Sequence, residues 1–268
     1  MANRLILWIS LYIPKRELYN ECRVERTQKG WSILALERLD KILASQGVGS
    51  RKDAGALIRK GAVEVNGQVV RRPEEKVDGE RDTVCVCGKS LEIKKYLYIM
   101  MNKPKGVLSA ARDSRTPTVI NLLPESLRRR GLFPAGRLDK DTTGLLIITD
   151  DGEMAHRMLA PKKHVMKRYE AILDIPADES DVAAFAEGIP LKDFVCMPAS
   201  LELENGTCIA RVEVQEGKFH QVKRMFAARG KTVLSLKRLQ VGKLNLDEHL
   251  QPGESRELTA EEVALIFS

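Results

Sequence analysis

The sequence lacks any long apolar run. No stretch of its 268 residues approaches the roughly 20 apolar residues that a helix needs to cross a bilayer, so we expect no membrane partner. A short apolar run at residues 5–13 is long enough for the core of a signal peptide, but no small-residue cleavage site follows it. The charged stretch after it has no clear periodicity. We therefore expect residues 1–35 to be an N-terminal extension outside the fold.

Cysteine is scarce and scattered. The five cysteines are Cys22, Cys85, Cys87, Cys196 and Cys208. An odd, dispersed set argues against a disulfide framework and favours a reducing compartment, which predicts a cytoplasmic protein. Cys85 and Cys87 alternate as on one face of a strand. No second Cys or His pair lies close to them in the sequence, so we expect no zinc site.

Two nucleotide-binding motifs are also missing. No G-x-G-x-x-G occurs, and this removes the usual sign of dinucleotide binding. The tripeptide GKS at residues 88–90 ends like a phosphate-binding loop. That loop needs a glycine where Thr83 stands, and a helix after it, so we reject this interpretation.

Positive charge, in contrast, is in excess. The formal net charge is +7, with 43% hydrophobic and 30% charged residues, a composition that supports a packed core. No Asp or Glu occurs at residues 217–246 or 156–169, and three arginines stand together at residues 128–130. A surface of one sign attracts phosphates over a long range. The pattern favours an RNA partner over a basic surface that is merely solvated.

The first folded module is predicted to span residues 36–93, and an apolar pattern with helical spacing opens it. Ser50 followed by Asp53 predicts the capped start of a second helix. Asn66 and Gly67, between two apolar runs, predict a hairpin. The second helix carries four cations off its apolar face, namely Arg51, Lys52, Arg59 and Lys60.

This order of elements resembles the alpha-L RNA-binding motif first known from ribosomal protein S-four. The matching pieces are RLDKILA, SRKDA and I-x-x-G-x-V-x-V-N-G. The resemblance implies a rigid helix pair that presents cations to a phosphate backbone. The alternative is a solvated basic helix face.

The second region is predicted to span residues 96–268 and mixes both element types. Strands are predicted for YLYIMMNKPKG, GLLIITDD, RYEAILDI, CIARVEVQEG and TVLSLKRLQVGKLNL, and helices for DESDVAAFAEG, HQVKRMFAARG and TAEEVALIF. The acidic pair that ends GLLIITDD is predicted to form a turn. Such an order is typical of an α+β fold with a mixed, mostly antiparallel sheet.

Residues 136–146, GRLDKDTTGLL, hold two carboxylates in a corner rich in Gly and Thr. On a partly extended segment, Asp139 and Asp141 share a face. The residues alone leave three interpretations: the acid and nucleophile of a glycosidase, a magnesium site, or one nucleophilic or general-base carboxylate beside a turn-former. Asp141 precedes Thr142 and Thr143, whose side chains bond nearby amides in turns, and this favours the third.

The same segment matches the active-site signature of RsuA-type pseudouridine synthases, the family of RsuA, RluB, RluE and RluF. Further pieces stand in family order, namely NKPKGVLS, KRY, EGKFHQVKRMFAARG and LKRLQVG. The resemblance covers residues 36–265, and HQVKRMFAA with HVMKRY is most similar to the branch that acts on small-subunit (16S) rRNA. It implies conversion of a uridine to pseudouridine by base flipping, Asp-dependent cleavage of the glycosidic bond and re-attachment through carbon. It also implies no cofactor and no metal.

Residue by residue, the resemblance implies a small catalytic set. Asp139 is the carboxylate that acts on the ribose, as nucleophile or as base. Tyr169 stacks on the flipped base and helps to remove the proton from its carbon 5. Lys223 matches the basic residue that pairs with the carboxylate, with Arg224 as the alternative, and Arg137 fills the space that the uridine leaves. The other implied contacts are Leu236 in the base pocket and, for RNA, Arg51, Lys52, Arg59, Lys60, Lys167, Arg168, Lys218, His220, Gln221 and Arg224.

The implied partner is ribosomal RNA, with 16S favoured, in an assembly intermediate and bound by a monomer. Two alternatives stay open. One is a non-catalytic RNA-binding or ribosome-assembly factor, since the small module also occurs without enzymes, and the other is the same chemistry on 23S rRNA. A glycosidase is a third alternative; it would release a free base, whereas an isomerase conserves the mass of the RNA.

Overall fold

The computed structural model describes residues 22–27, 30–160, 164–204 and 206–268, with side chains from residue 36 onward. The predicted N-terminal extension therefore lies largely outside the described residues. Its described part forms two antiparallel strands, β1 (Cys22–Thr27) and β2 (Gly30–Ala35).

Two compact units make up the chain, Met1–Lys95 and Tyr96–Ser268. After β1 and β2, the first unit contains two helices and six short strands. In chain order they are β3 (Glu37–Arg38), α1 (Leu39–Ser45), α2 (Arg51–Arg59), β4 (Val63–Val65), β5 (Gln68–Val70), β6 (Lys76–Val77), β7 (Val84–Val86) and β8 (Lys89–Leu91).

Local signals in the sequence fix these elements. The Ser50 side chain accepts a hydrogen bond from the Asp53 N–H, and the Asp53 carboxylate accepts one from the Ser50 N–H, so the predicted capping box starts α2. Asn66 and Gly67 both have positive φ, 52° and 76°, the conformation that a two-residue hairpin turn requires. They join β4 to β5. Apolar side chains of both helices and of β4 and β7 form the core of the unit, including Leu39, Leu43, Ala54, Ile58, Val63 and Val84.

The second unit carries the larger sheet. Its elements in chain order are β9 (Tyr98–Lys103), a 3₁₀ turn (Glu125–Leu127), β10 (Phe133–Pro134), β11 (Thr143–Thr149), α3 (Gly152–Leu159), β12 (Lys167–Leu173), α4 (Glu179–Glu187), β13 (Ser200–Leu203), β14 (Ile209–Val214), α5 (Gln221–Ala228), β15 (Val233–Val241), β16 (Leu244–Asn245), β17 (Ser255–Glu257) and α6 (Ala260–Leu265).

The sheet of this unit has the strand order β13-β14-β12-β15-β11-β9-β17, with β10 added to β11 and β16 added to β15. Among the described strands, only β11 and β15 pair in parallel. The prediction of an α+β fold with a mixed, mostly antiparallel sheet is confirmed. Because β15 lies between β12 and β11, it joins two halves of the sheet.

Each face of the sheet has its own core. Leu146 and Ile148 of β11 pack with Tyr169 of β12 on the face that α4 and α5 cover. Leu145 and Ile147 pack on the opposite face, against α3 and the C-terminal segment. The alternation along β11 therefore assigns each of its side chains to one of two layers.

One helix is missing from the sequence predictions. The acidic pair after β11 does form a turn, but Asp151 also accepts a hydrogen bond of 3.0 Å from the Met154 N–H and caps α3. Met154 and Met158 are buried, with the spacing of one helix face. Short strands β10, β13 and β17 were also not predicted, because two to four residues carry too little periodicity to identify.

Candidate active site

Asp139 lies in the loop between β10 and β11, at the end of the sheet where the parallel pair begins. The backbone of this loop is fixed by the segment that follows β9. The Ser109 hydroxyl donates to the Leu138 carbonyl at 2.9 Å and accepts from the Leu138 N–H at 3.1 Å. The Gly106 N–H donates to the Lys140 carbonyl at 2.8 Å. The segment NKPKGVLS therefore holds the residues on both sides of Asp139.

Lys103, the last residue of β9, supports the same loop through hydrogen bonds to its backbone carbonyls. Its side chain is fully buried. The ammonium donates to the carbonyls of Asp139 (3.1 Å) and Thr142 (3.0 Å), and to those of Pro104 and Lys140. Burial lowers the pKa of Lys103 to about 8, although the carboxylates of Asp141 and Asp139 act in the opposite direction.

A close approach of two backbones brings β15 beside the loop. Gly144 has a φ of +97°, and a Cβ there would lie 2.2 Å from the Arg238 carbonyl oxygen. Only glycine permits this contact between the parallel strands. The Thr143 hydroxyl reaches the Leu236 carbonyl at 3.4 Å. Leu236 is thus placed next to the Asp139 loop, on the sheet face that also carries Tyr169.

The start of α5 brings two basic side chains to Asp139. Lys223 Nζ lies 3.3 Å from Asp139 Oδ2, and His220 Nε2 lies 3.4 Å from Asp139 Oδ1. His220 is the N-cap of α5 and has left-handed backbone angles, φ 51° and ψ 28°. The positive end of the helix dipole also favours a carboxylate here.

The two carboxylates of the motif have different surroundings. Asp139 is 28% exposed and lines a cavity. Asp141 is 70% exposed, does not line that cavity, and accepts a 2.6 Å hydrogen bond from Lys223. That hydrogen bond holds the pKa of the Asp141 carboxyl below its ordinary range. Lys223 bridges the pair, and a single carboxylate of the motif faces the cavity.

The cavity, counted together with the open solvent at its mouth, has a volume of about 420 Å³, and its walls are charged, polar and apolar. Its lining comes from the Asp139 loop, the central strands and the start of α5: Arg137, Leu138, Asp139, Thr142, Tyr169, Val214, Glu216, Gly217, Lys218, His220, Gln221, Val222 and Leu236. Glu216 is already bound, because its carboxylate accepts from the Met197 N–H, the Gln221 amide and the Lys218 ammonium. Asp139 is therefore the carboxylate available for chemistry in this cavity.

The structure brings together the predicted residues Arg137, Asp139, Tyr169, Lys218, His220, Gln221, Lys223 and Leu236. Lys223, and not the alternative Arg224, contacts Asp139; Arg224 pairs with Asp193 and lies 5.2 Å from the centre of the Phe194 ring. Gln221 is buried and donates to Glu216 at 3.0 Å, so it shapes the cavity wall.

Two predicted RNA contacts on β12 lie elsewhere. Lys167 is buried and donates to the Gln215 carbonyl at 3.2 Å; burial lowers its pKa to about 8. Arg168 lines a different cavity and pairs with Glu202 and Glu213. The structure does not bring either side chain to Asp139.

The cations of residues 217–246 do not form a surface of one sign. Acidic residues from other segments pair with most of them. Asp181, which is fully buried, binds both Arg229 (2.9 Å) and Lys231 (2.6 Å). The expectation from local composition was wrong here, because the acids that neutralise this stretch are distant in the sequence.

The four predicted cations, Arg51, Lys52 and Arg59 of α2 and its C-cap Lys60, differ in their ion pairs. Arg51 donates to Asp40 at 3.2 Å, and Asp40 also binds Arg38. Lys52, Arg59 and Lys60 are exposed. Arg51 is exposed too, at 52%, so all four can be reached by a phosphate backbone, but Arg51 is already paired with Asp40.

Sequence reasoning missed the residues that fix the Asp139 loop, chiefly Lys103 and Ser109. Both residues stand in the family-like segment NKPKGVLS, but the sequence analysis assigned neither of them a role.

Within the part of the chain that the structure describes, no cluster of three or more His, Cys, Asp or Glu side chains has the arrangement of a metal site. Among the described helices, none is long and apolar enough to span a membrane.

Comparison with known proteins agrees with this geometry. Residues 97–228 match the RNA pseudouridylate synthase family, and residues 37–84 match the S4 domain. The chain is 45% identical over 233 residues to the uncharacterized RNA pseudouridine synthase YtzG of Bacillus subtilis (strain 168). This match covers 85% of this chain and 98% of that protein.

Two further comparisons support the same assignment. The chain is 41% identical over 232 residues to the ribosomal small subunit pseudouridine synthase A of Escherichia coli (strain K12), covering 85% of this chain and 99% of that protein. A crystal structure of a pseudouridylate synthase matches with a TM-score of 0.60 and 38% identity, over 86% of this chain and 99% of the other. The predicted family and the predicted RNA-binding module are confirmed. The chain belongs to the RNA pseudouridine synthase family and carries an S4 domain ahead of its catalytic domain.

Proposed function

We propose that this enzyme converts a uridine of small-subunit (16S) ribosomal RNA to pseudouridine. The observation that carries the proposal is that Asp139 lines a cavity together with Tyr169 and Leu236 and, outside that lining, pairs with Lys223. The choice of RNA is supported by the relative named for the ribosomal small subunit, at 41% identity over 99% of its length. We further infer that a monomer acts in the cytoplasm, on an assembly intermediate of the subunit.

The reaction begins with extrusion of the target nucleotide. The atoms that react are inaccessible in a stacked base, and extrusion costs a few kcal/mol. Stacking and backbone contacts offset this cost. Arg137, at the cavity wall beside Asp139, is suited to fill the space that the base leaves.

Asp139 then acts on the ribose, by attack on the sugar or by removal of a sugar proton. The bond between C1′ and N1 of uracil breaks, and the freed uracil turns. A new bond forms between C1′ and C5 as the bond between Asp139 and C1′ breaks, or the sugar proton returns from Asp139 to the ribose. The C5 proton leaves and N1 gains a proton, so the atoms of the RNA are conserved. Lys223 Nζ lies 3.3 Å from Asp139 Oδ2 and holds this carboxylate at the cavity wall during the step.

Tyr169 and Leu236 confine the base during the turn. Both are largely buried in the sheet, so their positions are fixed by packing. Tyr169 stacks on the uracil and assists the loss of the C5 proton, and Leu236 forms the apolar wall. The exposed cations of the S4 domain, Lys52, Arg59 and Lys60, hold the phosphate backbone without reading the sequence.

The decisive experiment pairs two isosteric substitutions in one motif. Asp139→Asn removes the carboxylate of the cavity and should lower kcat by about 10⁴-fold or more, as loss of a catalytic side chain does. Asp141→Asn is the matched control, since this carboxylate is 70% exposed and outside the cavity. It should retain activity within about tenfold, because it acts only through Lys223. Pseudouridine is measured by chemical mapping of unmodified 16S and 23S transcripts, with RNA binding measured in parallel.

The outcomes separate the alternatives. Product in 16S rRNA with wild type, and none with Asp139→Asn despite normal RNA binding, supports the proposal. Binding without product in either rRNA would leave a non-catalytic assembly factor, and product only in 23S rRNA would overturn the choice of substrate. Release of free uracil, detected as a loss of RNA mass, would point to a glycosidase.

A further inference from the structure

Phe219 presents an aromatic ring to solvent beside the catalytic cavity. The residue is 75% exposed. One face of the ring stacks on the His220 imidazole, with ring centres 3.8 Å apart and planes inclined by 16°. An exposed apolar side chain by itself needs no explanation, but this ring is held flat against a partner and keeps its other face free.

The partner of Phe219 connects it to the chemistry. His220 Nε2 lies 3.4 Å from Asp139 Oδ1. Lys218 and His220, the residues on either side of Phe219, both line the cavity, and Phe219 does not. The ring therefore lies beside the cavity, at its rim, and not in its wall.

The backbone fixes this arrangement. His220 has left-handed backbone angles, φ 51° and ψ 28°, at the N-cap of α5, a conformation that non-glycine residues adopt at a cost and that clusters at functional sites. The Lys218 ammonium lies 3.7 Å from the centre of the Phe194 ring and 2.9 Å from Glu216. Both neighbours of Phe219 are thus anchored, and the stacked pair is set before RNA binds.

We propose that Phe219, backed by His220, is the stacking platform for the base next to the target uridine in the RNA chain. When the uridine leaves the helix, each neighbouring base loses a stacking partner. An aromatic ring at the rim replaces that partner for one of them. Because every base has a π-face, the platform accepts any of the four bases and requires only that the neighbour be unpaired or free to rotate. This inference rests on the proposed isomerisation of a flipped uridine.

The test uses three substitutions at one position. Phe219→Ala removes the ring, Phe219→Leu keeps apolar bulk without a flat face, and Phe219→Tyr keeps the ring. Ile175→Ala is the matched control, since Ile175 is an apolar residue of 50% exposure beyond the far end of β12. The substrate is an RNA fragment in which wild type forms pseudouridine, with 2-aminopurine placed at either position flanking the target.

The expected result has a kinetic and a spectroscopic part. Phe219→Ala and Phe219→Leu should raise KM by about 5- to about 150-fold, the range that one base–aromatic stack supplies, with kcat changed by less than about threefold. Phe219→Tyr and Ile175→Ala should stay within about twofold of wild type. In the Asp139→Asn background, which prevents turnover, binding should quench 2-aminopurine at one flanking position, and Phe219→Ala should abolish the quench.

Two results would overturn the platform while leaving the isomerisation intact. One is wild-type KM in Phe219→Ala with the quench unchanged. The other is full rescue by Phe219→Leu, which would mean that apolar bulk and not stacking matters. Absence of pseudouridine with the wild-type enzyme would instead overturn the proposed function, and the platform with it.

Discussion

At the scale of the residue, the buried Lys103 supports the loop that contains Asp139. Four backbone carbonyls surround its buried ammonium, and those of Asp139 and Lys140 also accept backbone N–H groups. Lys103→Met would leave the Pro104 and Thr142 carbonyls without this donor, at a cost of about 1–3 kcal/mol for each unsatisfied group, reduced by the removal of a buried charge.

We therefore expect Lys103→Met to lower the unfolding free energy by about 1–3 kcal/mol and kcat by at least about tenfold, since Asp139 loses its support. Lys105→Met is the control, because Lys105 is exposed two residues away. Denaturant titration and steady-state kinetics measure both effects. Unchanged kcat in Lys103→Met would show that the loop holds its position without the ammonium.

The same lysine predicts a dependence on pH. Its pKa is about 8 in the folded protein and 10.5 ordinarily. Between these values the unfolded chain binds more protons than the folded one, so the contribution of Lys103 to the unfolding free energy rises with pH. The stability difference between wild type and Lys103→Met should grow from pH 7.5 to 10, by about 1.4 kcal/mol for each unit of pKa difference. A difference that shrinks over this range would contradict the assignment.

Sequence reasoning identified the residues at the Asp139 site but not the residue that supports its loop. Asp139, Tyr169, Lys223 and Leu236 were predicted because each stands in a recognisable segment, and the structure brings all four together. The role of Lys103 could not be derived, since its acceptors belong to a loop 36 residues further along the chain. A lysine at the end of an apolar strand gives no sign of the carbonyls that will surround it.

At the scale of the element, the parallel pair of β11 and β15 depends on Gly144. Gly144→Ala would place a Cβ 2.2 Å from the Arg238 carbonyl oxygen, at a φ of +97°. Because both partners are backbone, neither can move without separating the strands. We expect a loss of at least about 3 kcal/mol of stability, or failure to fold.

Gly152→Ala is the matched control for this change. Gly152 opens α3 and has no atom within 4 Å of an added Cβ. It should be neutral or stabilising by up to about 1 kcal/mol, since alanine favours the helix. Thermal unfolding of the two variants measures the contrast, and a mild effect of Gly144→Ala would show that β15 can shift away from β11.

Elements with a clear period or cap were predicted well. The strand GLLIITDD corresponds to β11, HQVKRMFAARG to α5 and TAEEVALIF to α6, which begins at a capping box of Thr259 and Glu262. Helix α3 was missed because its cap, Asp151, was interpreted only as part of a turn. The parallel register of β11 on β15 has no local signal at all, because 83 residues separate the strands (149 to 233).

At the scale of the whole molecule, RNA binding should be strongly dependent on salt. Each phosphate contact contributes about 0.7–0.9 to the slope of log K against log salt concentration. Removal of two exposed cations of α2, in Lys52→Ala/Lys60→Ala, should therefore reduce the slope by about 1.4–1.8. Lys89→Ala, an exposed lysine on β8, is the control. A slope that does not change would exclude α2 from the RNA interface.

Net charge predicted the class of partner but not the distribution of charge. The excess of +7 agrees with an RNA enzyme. Its longest stretch without an acid, residues 217–246, is nevertheless partly neutralised in the fold, as where Arg229 and Lys231 both pair with the buried Asp181. Pairing between distant segments decides which cations remain for RNA, and composition within a window does not contain that information.

Because β15 lies between β12 and β11, its position determines how much of the chain must be synthesised before the enzyme can be active. Asp139 precedes β11, on one half of the sheet, and Tyr169 lies on β12, on the other. A nascent chain that stops short of Val233 already contains Asp139, Tyr169 and Lys223, yet it lacks the strand that joins the two halves. We expect such a chain to be inert, so that modification of RNA waits until β15 has been synthesised.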